Sequence, residues 1–336
     1  VKPISSQAPS ATVTPIGTGR PWLARLPPGL FAIVFGLLGL AGAWRRLAGF
    51  NVGHAEIVAV AILQAATALL ILLIALQALK EFRHQEETRK DRVHPVQGAM
   101  LSLVPLTILM SVVLWLPSYP ELQQVAASAT TAALILQAFV LFTVIPRVVT
   151  SSVPADMITP ALYLPTVGGG LIGALAVNAL GSHGWAVLLF GMGLGGWALL
   201  EARVLNRLFS GPLPPPLRPT LGVEIAPAPV ATLVAAALWP NLPADVLLIG
   251  LGIACGPLLA VFARRKWWTD VPFSAGFWSF SFPIAAFASV VAEATLRGGW
   301  PLEVAYGAVL VATALIAYLA VRTISLLMRG RLLPPG

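Results

Sequence analysis

Long apolar runs alternate with short polar interruptions along most of this chain, and the runs have the length of a lipid bilayer. A helix needs about 20 mostly apolar residues to cross the hydrocarbon core. Ten segments reach that length: 28–47, 55–79, 97–116, 122–145, 158–180, 185–208, 218–239, 242–263, 273–296 and 302–328. Most connectors are short, which predicts that consecutive spans are antiparallel neighbours. The longest connector is the charged "KEFRHQEETRKDRVHP" between the second and third spans, and His94-Pro95 at its end marks the start of span three. The pattern describes an all-α integral membrane protein. Residues 26–328 form the ten-helix domain, between a polar tail at 1–25, expected to be flexible, and a short tail at 329–336.

Composition agrees with the pattern. Of the 336 residues, 57% are hydrophobic and 10% charged, and the mean hydropathy is +0.85. A soluble domain carries about 25% charged residues. The single cysteine, Cys255, leaves no internal disulfide. A net charge of +8 invites a nucleic-acid partner, but the basic residues do not gather into a patch. Eighteen of the 21 lysines and arginines fall on alternate connectors and at the termini, and only Arg45, Arg46 and Arg297 fall on the other side. Basic residues mark the cytoplasmic side of membrane helices. The expected partner is therefore the lipid bilayer and not nucleic acid, with both termini cytoplasmic.

Prolines inside the spans favour the odd ones; among even spans the main interior case is Pro257, late in span eight, and Pro146 sits at the end of span four. Pro105, Pro165, Pro227 and Pro283 lie in spans three, five, seven and nine, and span one opens at Pro27-Pro28. From Pro28 the steps are 77, 60, 62 and 56 residues. This reads as a helical hairpin repeated five times, with a kinked and a straighter helix in each. A broken helix is tolerated where its backbone packs in protein or lines a watery cavity. The odd helices should then form an inner ring in quasi-fivefold arrangement around a central pore, and the even helices an outer ring facing lipid.

Five segments, "LPPGLFAIVFG", "HPVQGAMLSLVPLT", "YLPTVGGGLIG", "RPTLGVEIAPAPVA" and "FWSFSFPIAAFA", resemble the tellurite-resistance/dicarboxylate transporter family. That family includes bacterial TehA and the slow-type anion channels of plant guard cells. The resemblance covers about residues 26–328. It implies five helical hairpins around a pore, a homotrimer with one pore per subunit, and a multi-pass location in a bacterial inner membrane. It also implies an anion channel closed by a phenylalanine that directly precedes the proline of span nine, which here is Phe282 before Pro283. Close relatives carry a proline where this chain has Val34, which implies a straighter first inner helix.

The candidate chemistry is sparse. A proline bends its helix, so a ring beside it can project into a lumen, and an apolar constriction blocks ions by dewetting. Phe282 is the expected gate. Trp278 shares its helical face, whereas Phe280 points elsewhere. No lysine or arginine lies deep in spans three, five, seven or nine, so anion preference must come from helix N-termini, from basic residues at the mouths, and from hydroxyls such as Ser102, Thr107, Thr166, Ser279 and Ser281. The partners would be small inorganic or organic anions. Glu224, in span seven just before Pro227, is an intramembrane carboxylate and so a candidate pore-lining or proton site; a paired structural residue is the competing reading. A proton-coupled carrier of small organic acids or tellurite is the alternative function. Glu201, Glu293 and Asp245 read as interfacial. His54, His84, His94 and His183 are scattered at span ends, and neither metal spacing nor a dinucleotide loop occurs. No enzyme activity and no cofactor are expected.

Overall fold

The computed structural model describes residues 20–150 and 152–334. Most of the expected N-terminal tail, residues 1–19, lies outside them, as do residues 335 and 336. Among the described residues, ten helices are long and apolar enough to cross a membrane: Pro28–Ala48, Ala55–Arg83, Pro95–Trp115, Pro120–Val148, Pro160–Ala179, His183–Phe209, Pro215–Leu238, Ala244–Ala263, Ala275–Gly298 and Leu302–Met328. They are spans one to ten below. Each matches one expected segment, and no end differs by more than four residues.

Odd and even spans are built differently. The five even spans carry unbroken α-helices, Ala55–Arg83, Gln123–Val149, His183–Phe209, Ala244–Ala263 and Leu302–Met328. Each odd span is composite. Span one starts with a 3-10 turn, Pro28–Leu30, before the α-helix Phe31–Ala48, which runs without interruption through Val34. Span three splits into Pro95–Met100 and Leu103–Trp115. Span five passes through a π-type segment, Leu164–Gly168, into Gly169–Ala179. Spans seven and nine begin as 3-10 stretches, Pro215–Ile225 and Ala275–Phe280, and become α-helical at Pro227–Leu238 and Ser281–Gly298. The four interior prolines explain the breaks. Proline has no N–H to donate and fits best in a helix's first turn, although Pro146 and Pro257 lie inside the α-helices of spans four and eight. Pro105, Pro227 and Pro283 occupy the first turn of the longer, second helix of their spans, and Pro165 lies in the π-type segment just before the α-helix of span five.

Burial alternates with the same period. Between 61 and 89% of the apolar stretch of each odd span is buried in the protein, against 17 to 28% for each even span. The α-helix of span one packs on that of span three, three on five, five on seven, seven on nine, and nine back on one. Each odd span also packs on the even span that follows it. Close approach depends on glycine. A methyl group on Gly36 would sit 2.0 Å from Ser281 Oγ, and one on Gly170 would sit 2.5 Å from the Gly193 backbone. Such small residues let membrane helices pack backbone to backbone.

The charged linker is ordered. Gln85–Val93 is a helix, and the residue after it, His94, caps the start of span three, its Nδ1 accepting hydrogen bonds from the Val96 and Gln97 amides at 3.2 Å. Lys80 is fully buried, and its Nζ donates to the Leu26 carbonyl at 2.7 Å and to Asp91 Oδ2 at 2.6 Å. A hydrogen bond from Lys90 holds Glu87 below the usual carboxylate range. Within the expected N-terminal tail, Trp22–Arg25 form a 3-10 turn with Leu23 and Ala24 buried.

Candidate functional site

A cavity of about 400 Å³ lies among the five odd spans. Its wall includes Ala32 and Phe35 from span one, Leu103 and Leu106 from span three, and Tyr163, Gly168 and Leu171 from span five. Thr220, Val223 and Pro227 come from span seven, and Trp278, Ser279, Phe282 and Pro283 from span nine. Among the described residues no even span contributes to the wall. The wall is mostly apolar, and Arg331 is its only charged residue among those described. The lining positions fall where the α-helices of the odd spans begin: Ala32 beside Phe31, Leu103 itself, Gly168 beside Gly169, Pro227 itself and Phe282 beside Ser281.

One end of the cavity is lined by the segment after span ten. Gly330 takes a left-handed conformation, φ 64°, which only glycine adopts without strain. Beyond this turn Arg331, Leu332, Leu333 and Pro334 line the cavity. Arg25 Nη1 donates to the Pro334 carbonyl at 3.0 Å. The expected C-terminal tail thus contributes two leucines to a packed wall.

Phe282 is 7% exposed and stacks on Phe35, with ring centroids 3.7 Å apart and planes inclined by 18°. Gly39, one turn beyond Phe35, provides the floor: a methyl there would lie 2.9 Å from Phe282 Cδ2. The other rings of the segment serve packing. Phe280 stacks on Trp268 at 4.6 Å, and Trp278, though it borders the cavity, is buried and donates from Nε1 to Thr323 Oγ1 at 2.8 Å.

The expected polar residues separate. Ser279 lines the cavity and donates from Oγ to the Pro219 carbonyl. Thr166 is not among the lining residues; it packs toward Gly196 of span six, and its Oγ1 donates to the Leu162 carbonyl at 3.4 Å. Glu224 is buried and also absent from the wall. The Tyr163 hydroxyl donates to Glu201 Oε2 at 2.7 Å and meets Glu224 Oε1 at 3.5 Å, while Glu224 Oε2 is buried without a hydrogen-bond partner. Trp197 Nε1 donates to the same Glu201 oxygen at 2.8 Å. Glu201, expected at the interface, thus takes part in an interior cluster with Tyr163 and Trp197.

This wall has no paired nucleophile and base. It is an apolar chamber with few hydroxyls, lined by rings and helix ends. The family model of the SLAC1 voltage-dependent anion channel matches residues 25–324. The chain belongs to that family. The match takes in nine spans whole and most of the tenth. Membership makes the chain a multi-pass membrane protein of an anion-channel family and not an enzyme. Another relative is a tellurite resistance protein TehA homolog of Haemophilus influenzae, 29% identical over 308 residues that cover 91% of this chain and 92% of that one.

The residue that sequence reasoning missed is Phe35. Its signal was present in "FAIVFGLLG": a ring followed by Gly36 and Gly39, the two glycines over which span nine packs.

Proposed function

We propose that the protein is a gated channel for small monovalent anions, with a pore running between the five odd spans and closed by Phe282 against Phe35. The observation that carries this reading is the placement of the cavity at the starts of five α-helices. Successive spans that cross a bilayer alternate in direction, so all odd spans run the same way. The α-helix of each then presents the positive end of its dipole to the same chamber. In a poorly hydrated apolar space such dipoles favour an anion without any fixed cation. A site of this kind binds weakly and selects anions that shed water cheaply. Two stacked rings across the lumen form the apolar constriction that stops ions by dewetting.

In this reading the ten spans are five hairpins, the termini face the cytoplasm of a bacterial inner membrane, and the channel assembles as a homotrimer. The deciding experiment is anion flux in liposomes containing the purified protein, with Phe282→Ala beside the unmodified chain. Fast chloride or nitrate flux in the variant, indifferent to a proton gradient, supports the channel. Absence of flux in both sinks it.

One observation favours a second reading. Glu224 keeps a buried oxygen without a partner beside Tyr163 and Glu201, as a proton site of a coupled carrier would. Glu224 stands outside the cavity wall, and the channel is the better-supported reading.

A further inference from the structure

Spans one and nine share more than the stacked phenylalanines. Phe35, Gly39, Gly42 and Arg46 follow one another at steps of four, three and four residues, which keeps them on one face of a helix. Phe282, Ala286, Ser289 and Glu293 repeat those steps in span nine. The two stripes touch at both ends. Phe35 stacks on Phe282 at 3.7 Å, and eleven residues further out Arg46 Nε meets Glu293 Oε2 at 3.5 Å. Span three joins them: a methyl on Gly42 would lie 3.6 Å from both Arg46 Nη1 and Leu114 Cδ2, and 3.8 Å from Met110 Cε. Leu103 and Leu106, on the same helix as Met110 and Leu114, line the cavity. The face that carries the ring pair therefore ends, on the outer side, at an ionic cluster.

Its charge is unbalanced. Glu293 is shared by two arginines, since Arg297 Nη2 also pairs with Glu293 Oε1 at 2.7 Å. Two cations on one carboxylate leave one positive charge in excess. Arg297 is otherwise occupied, donating to the carbonyls of Ala236 at 3.1 Å and Leu242 at 3.3 Å. Arg46 is not. Among the described residues its one hydrogen bond runs from Nη1 to the Gly42 carbonyl at 3.1 Å, and its buried Nε has none. A guanidinium carries five N–H donors, so most of those on Arg46 remain free to take an oxyanion or halide.

We propose that Arg46 is an anion-docking residue at the outer end of the conduction path, with Glu293 as a resident counter-ion that the permeating anion displaces. This rests on the anion-channel reading above. The ligand class is a small monovalent anion, held loosely because Glu293 competes for the same donors. Arg297, tied to span seven, keeps Glu293 in place while Arg46 exchanges one anionic partner for another. The site gathers anions outside the rings, and the helix dipoles receive them inside.

The test uses the purified full chain in planar bilayers under a potassium chloride gradient, with Phe282→Ala in every arm to hold the path open. Phe282→Ala alone should reverse near the chloride potential. Adding Arg46→Gln should move the reversal potential toward zero and lower conductance several-fold in dilute salt. The difference should vanish in concentrated salt, where the screening length falls to about 3 Å at 1 M. Arg46→Lys should restore much of the selectivity. Glu293→Gln should raise conductance in dilute salt, because Arg46 loses its competitor. Chloride current whose reversal and dilute-salt conductance ignore Arg46→Gln would overturn the docking proposal and leave the channel intact. No chloride current in Phe282→Ala would overturn the channel reading and the proposal with it. Should Arg46→Gln fail to assemble, the Glu293→Gln arm decides, and unchanged dilute-salt conductance there rejects the docking role.

Discussion

Phe35 and Phe282 lie ring on ring, 3.7 Å between centroids, although 247 positions separate them in the chain. The contact joins the first and last inner helices and closes the circuit of odd spans at the level of the cavity. Removing either ring should therefore loosen the same barrier. Phe282→Ala and Phe35→Ala are each expected to raise resting anion conductance, and the double variant should add little to the larger single effect. Both rings line the cavity, so destabilisation should stay below the about 3–5 kcal/mol of a ring packed on all sides. Phe280→Ala, which strips the ring stacked on Trp268, should lower thermal stability and leave conductance unchanged. Single-channel recording and thermal unfolding of the same preparations would check all four. A Phe35→Ala channel as tight as the unmodified one would remove Phe35 from the gate.

Two glycines one turn apart should behave differently. A methyl on Gly36 meets the short side chain of Ser281 at 2.0 to 2.5 Å, and only separation of the helices relieves it. Gly36→Ala should cost at least the about 1–3 kcal/mol typical of overpacking, seen as lost folded yield. A methyl on Gly39 meets Phe282 Cδ2 at 2.9 Å and Ala285 Cβ at 3.2 Å, a milder clash that a turn of the ring and a small shift of the helix can relieve. Gly39→Ala should keep most of its folded yield and leak anions. Equal yields with no leak from Gly39→Ala would argue that the ring does not block the path.

Glu224→Gln should leave chloride conductance and reversal potential unchanged, because Glu224 is not part of the cavity wall. Flux assays with and without an imposed proton gradient provide the contrast. Gradient-driven uptake by the unmodified protein that disappears in the variant would favour the carrier.

Lys80→Ala should destabilise the end of the bundle where the 85–93 linker packs. The change strands Asp91 and the Leu26 carbonyl, both bonded to the buried Lys80 Nζ. Breaking a buried ion pair typically costs about 3–5 kcal/mol, and Asp91, partly exposed, can recover some water, which puts the loss near the lower end. Protease sensitivity of the 85–93 linker, read beside the unfolding midpoint, should rise in step. A linker as resistant as before would show that Lys80 does not hold it.

The spans were legible because apolar length is a one-dimensional property, and the interior prolines marked the composite helices for the same reason. Facing was harder to read. Assigning Thr166 to the pore assumes 100° per residue, but the chain passes through a π-type segment at Leu164–Gly168, and the register turns Thr166 toward Gly196. Glu224 lies in a 3-10 stretch, where each residue turns about 120°. Its carboxylate meets Tyr163 and stands off the wall. Phe35 stayed hidden because a pair of rings is a property of two distant segments. The inward course of Leu332 and Leu333 depends on one left-handed glycine, Gly330, whose torsion the sequence does not announce.

Five helix beginnings around one chamber also bear on how such a chain can drift. Mutation rewrites side chains one at a time, whereas the field of a peptide dipole belongs to the main chain and survives any substitution that leaves the helix standing. If the chamber conducts as proposed, the dipoles of five segments share the work of favouring one sign of ion inside it. On that reading descendants could exchange wall residues, change bore, hydration and rate, and keep the same preference. Reversing the preference would demand new carboxylates on several helices at once, a path with no rewarded intermediate.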